Sequence, residues 1–143
     1  MIRKFNSTDI NEIMKIWLDS NIDVHNFVSE KYWNENYDSV KKSIINAEVY
    51  VYVNEKSNEI LGFIGLIDTY VAGLFVKDKA RSQGIGKALL DYIKNFKSNL
   101  ILDVYEKNVG AIQFYKKENF IIKQQAVDGD TNENECRMEW SSN

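Results

Sequence analysis

The richest chemical potential lies in Leu74-Phe75-Val76-Lys77-Asp78-Lys79-Ala80-Arg81-Ser82-Gln83-Gly84-Ile85-Gly86-Lys87-Ala88-Leu89-Leu90. An apolar strand runs here into a glycine-containing turn that opens an amphipathic helix. Unpaired N–H groups at a helix start, together with the positive end of the helix dipole, bind phosphate. Gly84 and Gly86 let the backbone approach an anion with no Cβ in the way. Lys79, Arg81 and Lys87 add cationic charge at the same place. The two glycines alone would equally serve a plain chain reversal. Two familiar phosphate loops do not fit. A dinucleotide fingerprint needs glycine or alanine at position 89, which is Leu89, and a P-loop needs Gly and Ser/Thr where Arg81 and Ala88 stand.

Other reactive side chains are scarce. The chain of 143 residues has one histidine and one cysteine. They form no disulfide and cannot supply the usual zinc ligand sets, so no metal is expected. Any catalytic triad must use His25, in the segment Asp23-Val24-His25-Asn26-Phe27. Its imidazole titrates near neutrality and could take a proton from an amine. Cys136 has no base beside it in sequence and reads as a buried strand residue rather than a nucleophile.

The net charge of −3 argues against a nucleic-acid partner, which normally demands a basic face. Charge is nonetheless uneven: residues 77–97 are basic and residues 126–143 acidic. The longest apolar run, Ile60 to Ile67, is far too short to span a membrane, and Met1–Ile10 lacks the layout of a signal peptide. A cytoplasmic single domain over residues 1–143 is the expectation, with no membrane association.

The elements that must position these residues follow from periodicity. Ile2–Phe5 reads as a strand. Ser7, Thr8 and Asp9 offer capping oxygens to a helix whose stripe is Ile10, Ile13, Met14, Trp17 and Leu18. Asn21–Phe27 breaks that period and reads as a loop, after which Ser29 caps a second helix carrying Trp33, Tyr37, Val40 and Ile44. Ala47–Val53 and Ile60–Ile67 form a hairpin, and Tyr70–Val76 a third strand in series. A helix over Gly84–Phe96, a strand over Leu100–Val104 and a helix over Asn108–Glu118 follow. Phe120–Val127 and Cys136–Trp140 make a terminal strand pair across a polar, mobile connection at Asp128–Glu135. The order is β-α-α-β-β-β-α-β-α-β-β, an α/β (α+β) domain with a mixed sheet. The crossover from Tyr70–Val76 to Leu100–Val104 should be parallel.

This constellation resembles the GNAT superfamily of N-acetyltransferases, whose acyl-coenzyme A turn reads Gln/Arg-x-x-Gly-x-Gly/Ala. Arg81-Ser82-Gln83-Gly84-Ile85-Gly86 matches every fixed position. Leu102-Asp103-Val104-Tyr105-Glu106-Lys107-Asn108, Ala111, Phe114-Tyr115 and Phe120 resemble the family's second half, and the element order agrees. One departure is Asn119, where relatives often carry glycine; asparagine tolerates the left-handed conformation needed there.

The resemblance implies acetyl-CoA as acyl donor. Leu74, Phe75 and Val76 would pair with its pantetheine arm, and a backbone N–H near Phe75–Val76 would hold the oxyanion. Arg81, Ser82, Gln83, Gly84, Ile85, Gly86, Lys87 and Ala88 would hold its phosphates, and Asn108, Ala111, Phe114 and Tyr115 would complete the site. Tyr115 would protonate the departing thiolate. His25 would border the acceptor site, where some small members carry His-x-Phe after Thr; Val24 replaces that Thr here. The implied reaction moves an acetyl group to a primary amine of a small molecule or peptide by direct attack in a ternary complex. A non-catalytic acyl-CoA sensor is the competing reading, and Tyr115 favours the enzyme. The terminal strands and exposed aromatics are compatible with a homodimer.

Overall fold

The computed structural model describes residues 1–142. The strands are β1 (Ile2–Lys4), β2 (Glu48–Val53), β3 (Ile60–Ile67), β4 (Tyr70–Val76), β5 (Asn99–Tyr105), β6 (Ile121–Val127) and β7 (Asn134–Ser141). The helices are α1 (Ile10–Val24), α2 (Glu30–Asn46), α3 (Ile85–Lys94) and α4 (Val109–Lys117). This is the element order that the periodicities predict, with short 3-10 turns added at Ser7–Asp9 and Asp78–Ala80. All seven strands form one sheet in the order β1-β2-β3-β4-β5-β7-β6. Only β4 and β5 are parallel; every other pair is antiparallel.

The period-2 pattern of β2 splits its side chains between two cores, as alternation requires. Val49, Val51 and Val53 face α1 and α2, where Ile13, Met14, Trp17 and Trp33 are buried. Tyr50 faces the other way, into a core built from Ile85, Leu89, Leu90 and Ile93 of α3, Tyr115 of α4, and Leu100, Leu102 and Val104 of β5. Cys136 lies in this second core, 2% exposed.

Most element ends shift by one or two residues from the sequence reading, and α1 shifts further. α1 continues through Asn21–Val24, where a loop was expected. The buried Asn21 amide donates to the Trp17 carbonyl at 2.8 Å, so a residue that usually breaks helices satisfies itself inside this one. At the other end of α1, Asp9 does not cap through its side chain. Its oxygens accept instead from Arg3 at 2.8 and 3.0 Å and from the Asn6 N–H at 2.8 Å. The Asp128–Glu133 connection is a wired turn. Asp128 Oδ1 accepts from the Asp130 N–H, and Oδ2 accepts from the hydroxyls of Thr131 and Tyr105.

α4 stops in a Schellman motif. Asn119 takes φ +72°, its N–H donates to the Lys116 carbonyl, and the Phe120 N–H donates to the Tyr115 carbonyl at 2.9 Å. Left-handed backbone favours glycine, tolerates asparagine and strains alanine. Asn119→Ala should therefore cost about 1 kcal/mol in urea unfolding, while Asn119→Gly should be neutral or nearly so. Equal losses for both would show that the asparagine side chain, not the backbone angle, does the stopping.

Candidate active site

β4 and β5 share one register pair, Tyr70↔Ile101, supported by the bond from the Ile101 N–H to the Thr69 carbonyl at 2.9 Å. Beyond it the two strands part, and a cleft opens through the sheet. On its other side β4 stays paired with β3, and Lys77 N–H donates to the Leu61 carbonyl at 2.8 Å. Antiparallel pairs alternate in bonding, so Phe75 also bonds toward β3 while Leu74 and Val76 present their N–H and C=O groups to the gap. Consistently, the Val76 carbonyl is taken on the open side by Arg81 Nε at 3.4 Å. Register shifts between Gly65 and Leu66, opposite Ala72, so β4 bulges next to the divergence.

The cleft has two mouths. One is a groove of about 660 Å³ under α3 and α4, lined by Ser82, Gly84, Gly86, Ala111 and Phe114 among others. The other, about 260 Å³, opens on the α1–α2 side, lined by His25, Trp33, Tyr70, Asp103, Tyr105 and Glu135 among others. Leu74, Asn108, Ala111 and Tyr115 line both. Tyr115 is 8% exposed, lines both mouths, and makes no side-chain hydrogen bond to the described residues. Burial pushes its pKa well above the ordinary tyrosine value, so the hydroxyl keeps its proton. Among the described residues, the indole N–H of Trp33 is buried without a partner.

The groove begins at an uncapped helix start. No side chain caps α3, and its first internal bond runs from the Ala88 N–H to the Gly84 carbonyl at 2.9 Å. The N–H groups of Ile85, Gly86 and Lys87 precede that bond and have no intrahelical acceptor. Gly84 at φ +82° and Ser82 at φ +62° curl the preceding turn, the type of backbone that makes anion-binding concavities. Nothing lies within 4 Å of a Cβ built on Gly84, so its glycine serves the angle rather than the space. Arg81 bridges Asp23 Oδ2 at 2.9 Å and Asp78 Oδ1 at 3.3 Å, tying the end of α1 to this turn. Asp91 and Glu118 hold the Lys87 pKa up.

Three residues of the expected set stand apart from the groove. Phe75 packs its ring on Phe63 in the α1–α2 core and lines the opposite mouth. Gln83 turns its side chain toward the Lys79 carbonyl and lines a different hollow beside Met1 and Tyr52. Ala88 has already committed its N–H to the helix.

His25 is wired on both nitrogens. Its Nδ1 lies 2.8 Å from Asn21 Oδ1 and its Nε2 3.0 Å from Asn108 Nδ2. Asn21 already donates its amide to Trp17, and Asn108 Oδ1 accepts from the Ala111 N–H at 3.2 Å as the cap of α4. These outer partners fix the amide orientations, so His25 is neutral, donating from Nδ1 and accepting at Nε2. The ring also packs against Phe27, Trp33 and Tyr105 at centroid distances of 5.0–5.7 Å. Burial pushes its pKa down to about 4.

The α1–α2 mouth holds two carboxylates that were not singled out in the sequence. Asp103 is saturated: Arg137 donates to both its oxygens at 3.0 Å, and the Tyr70 hydroxyl donates at 3.0 Å. Glu135 has no hydrogen-bond or ion-pair partner among the described residues. Burial and the charges of Asp103 and Asp128 raise its pKa above the ordinary value. The only cue in the sequence was its place in an acidic segment, where a solvated face is the ordinary explanation. Among the described residues, no cluster of three His, Cys, Asp or Glu side chains is placed to hold a metal ion. No described helix is long and apolar enough to cross a membrane.

Residues 46–122 match the family described as the acetyltransferase (GNAT) domain. The chain is 33% identical over 142 residues to the peptidyl-lysine N-acetyltransferase YiaC of Escherichia coli K12, covering 98% of this chain and 96% of that one. It is 31% identical over 121 residues to the peptidyl-lysine N-acetyltransferase YjaB of the same organism, covering 85% and 82%. The solution structure of apo YjaB superposes with a TM-score of 0.85 at 28% identity, over 98% of this chain and 96% of that chain. An aminoglycoside 6'-N-acetyltransferase complexed with coenzyme A shares the fold at 14% identity, with a TM-score of 0.76 over 100% of this chain and 97% of that one. The chain belongs to the GNAT acetyltransferase family and is an N-acetyltransferase.

The neutral His25 makes stability depend on pH. Its folded pKa of about 4 lies below the ordinary 6.5. Between those values the unfolded chain binds a proton that the folded chain does not, so stability falls as pH falls through that window. From pH 7 to 4.5 the wild type should lose about 2 kcal/mol more than His25→Gln. Parallel pH curves from urea titrations of the two proteins would show that His25 is not held neutral.

Proposed function

We propose that the chain, a single domain over residues 1–143, transfers an acetyl group from acetyl-CoA to the side-chain amine of a peptide lysine. The observation that carries this reading is the cleft through the sheet. A groove suited to a phosphorylated donor opens on one side and an acid- and tyrosine-lined mouth on the other, and the unpartnered Tyr115 hydroxyl stands where they meet.

The donor fits the groove. The N–H groups of Ile85, Gly86 and Lys87, with the backbone of Arg81, Ser82, Gln83 and Gly84, suit a pyrophosphate, and Lys87 supplies charge. The open edge of β4 offers Leu74 and Val76 groups to the amides of the pantetheine arm, as a β-strand would. One of those two N–H groups, rather than that of Phe75, is the donor for the developing oxyanion. Ile85, Ala111 and Phe114 give apolar walls, and Asn108 holds the adjacent helix start.

The acceptor mouth suits a cation. Glu135 and the turn at Asp128 place negative charge beside Tyr70 and Tyr105, which favours a lysine ammonium over a neutral amine. The names of the YiaC and YjaB relatives point the same way. The lysine amine attacks the thioester carbonyl directly, with both substrates bound at once. Tyr115, protonated at every working pH, gives its proton to the departing thiolate. His25, with both nitrogens engaged, serves this site by holding Asn108 in place.

Tyr115→Phe should lower kcat by about 10²-fold or more, with little change in the KM for acetyl-CoA, in an assay of free-thiol release with a lysine peptide. CoA at 100 times its Kd should stabilise wild type and variant alike by about 2.7 kcal/mol. Full turnover by the variant would remove the general-acid role, and no stabilisation by CoA would remove the donor site.

A further inference from the structure

We infer that Glu135 is the catalytic proton acceptor for the incoming lysine ammonium, and that Asp103, the other carboxylate of the same mouth, is structural. This rests on the lysine-acetylation reading above and extends it to a residue of β7.

The two carboxylates differ in what they have left to give. Asp103 already accepts a bidentate pair from Arg137 and a hydroxyl from Tyr70, all at 3.0 Å. Taking a substrate proton there would break a fork-on-fork ion pair, the strongest kind available at a partly exposed site. Glu135 stands opposite Tyr105 in the β5–β7 register and lines the same mouth with both oxygens free of protein partners. The cleft that it lines also contains Tyr115, more than nine-tenths buried and likewise without a partner. One open proton acceptor and one open proton donor therefore share a cavity of about 260 Å³.

The surroundings raise the proton affinity of both groups, which leaves the phenol a proton donor and makes the carboxylate a better acceptor. Burial, then Asp103 from β5 and Asp128 from the β6–β7 turn, raise the affinity of Glu135 for a proton, while Arg137 on its own strand opposes them. Tyr70 of β4 and Tyr105 of β5 also line the mouth, and Tyr32 of α2 lies close enough to feel the same acids; burial and these acids hold all three neutral. His25, at the end of α1, is neutral above about pH 4.

The proton balance closes with these two residues. Glu135 takes one proton from the ammonium, leaving an amine lone pair. The C–N bond forms and the C–S bond breaks. Tyr115 gives its proton to the thiolate and recovers one from the nitrogen that becomes the amide. Glu135 releases its proton to solvent, which accounts for the one proton liberated per turnover.

The test is Glu135→Gln, a near-isosteric change that removes no protein contact, compared with wild type and Asp103→Asn on an Nα-acetylated lysine peptide. Wild type should show a plateau in kcat/KM above the Glu135 pKa. Glu135→Gln should lose about 10²-fold or more in kcat at pH 7, lose the plateau, and rise tenfold per pH unit as the free amine appears. Its KM for acetyl-CoA and its thermal stabilisation by CoA should match wild type. Asp103→Asn should be less stable but keep the plateau. Retention of wild-type kcat and plateau by Glu135→Gln, a loss with an unchanged pH profile, or loss of the plateau in Asp103→Asn alone would each overturn the assignment. A wild type that acetylates small amines but no lysine peptide overturns the acceptor reading instead. The same comparison on the amine it uses then decides Glu135.

Discussion

The parting of β4 from β5 is the constraint on which the rest depends. A continuous sheet is a wall, with each face closed to the other by a row of hydrogen bonds. Here the row ends after Tyr70↔Ile101, and the groups of Leu74 and Val76 on that edge need other partners. The gap lets side chains from both cores face a common space. Tyr115 rises from the core under α3 and α4, while His25, Trp33 and Tyr105 come from the α1–α2 side. A donor and an acceptor can thus approach from opposite faces and meet within the plane of the sheet. That separation keeps the cationic turn of Arg81 and Lys87 on the opposite side of the sheet from the acids of the other mouth.

An open gap weakens a sheet, so other contacts must hold its lips. The Arg81–Asp23 pair ties the end of α1 to the turn before α3, at 2.9 Å. The chain Trp17–Asn21–His25–Asn108–Ala111 ties the same helix end to the start of α4. Arg81 and Asp23 lie partly in solvent, so their pair contributes modestly. The hydrogen-bond chain is more enclosed, and breaking any link leaves a polar group short of a partner in an aromatic setting. Both ties converge on Asp23–His25, which explains why α1 must stay helical to Val24. A loop there could not aim two side chains at fixed targets.

The sequence disclosed much of this because its local signals agreed with the final fold. Every strand and helix appears in the predicted order. Gly84 and the Arg81–Gly86 spacing marked the turn, and Asn119 marked the end of α4. What stayed hidden depends on contacts distant in sequence. Asn21 looked like a helix breaker because its satisfied amide cannot be seen without the Trp17 carbonyl and His25. The bulge opposite Gly65 and the single β4–β5 pair arise from register, which residue types alone do not state. Glu135 was concealed by its company. Five acids near the carboxyl end read as a solvated face, and only the fold shows that one of them lines the cleft while Asp103 is consumed by Arg137.

The single histidine shows how burial can redirect a residue's chemistry. In water an imidazole is the natural base near neutrality. Enclosed by Phe27, Trp33 and Tyr105, it loses the solvation that its charged form needs, and its pKa falls to about 4. The hydrogen bonds reinforce this outcome. A protonated ring donates from both nitrogens, so Nε2 would then face the Asn108 amide donor with nothing to accept. The same link that makes His25 a poor base makes it a good strut, because an acceptor at Nε2 is what keeps Asn108 turned with its oxygen toward Ala111. The groups left with free positions in the cleft are a carboxylate and a phenol, Glu135 and Tyr115, and their surroundings raise the proton affinity of both. A fold that opens its sheet to bring two substrates together gains most from side chains that are either fully committed or fully free, and this site contains both kinds.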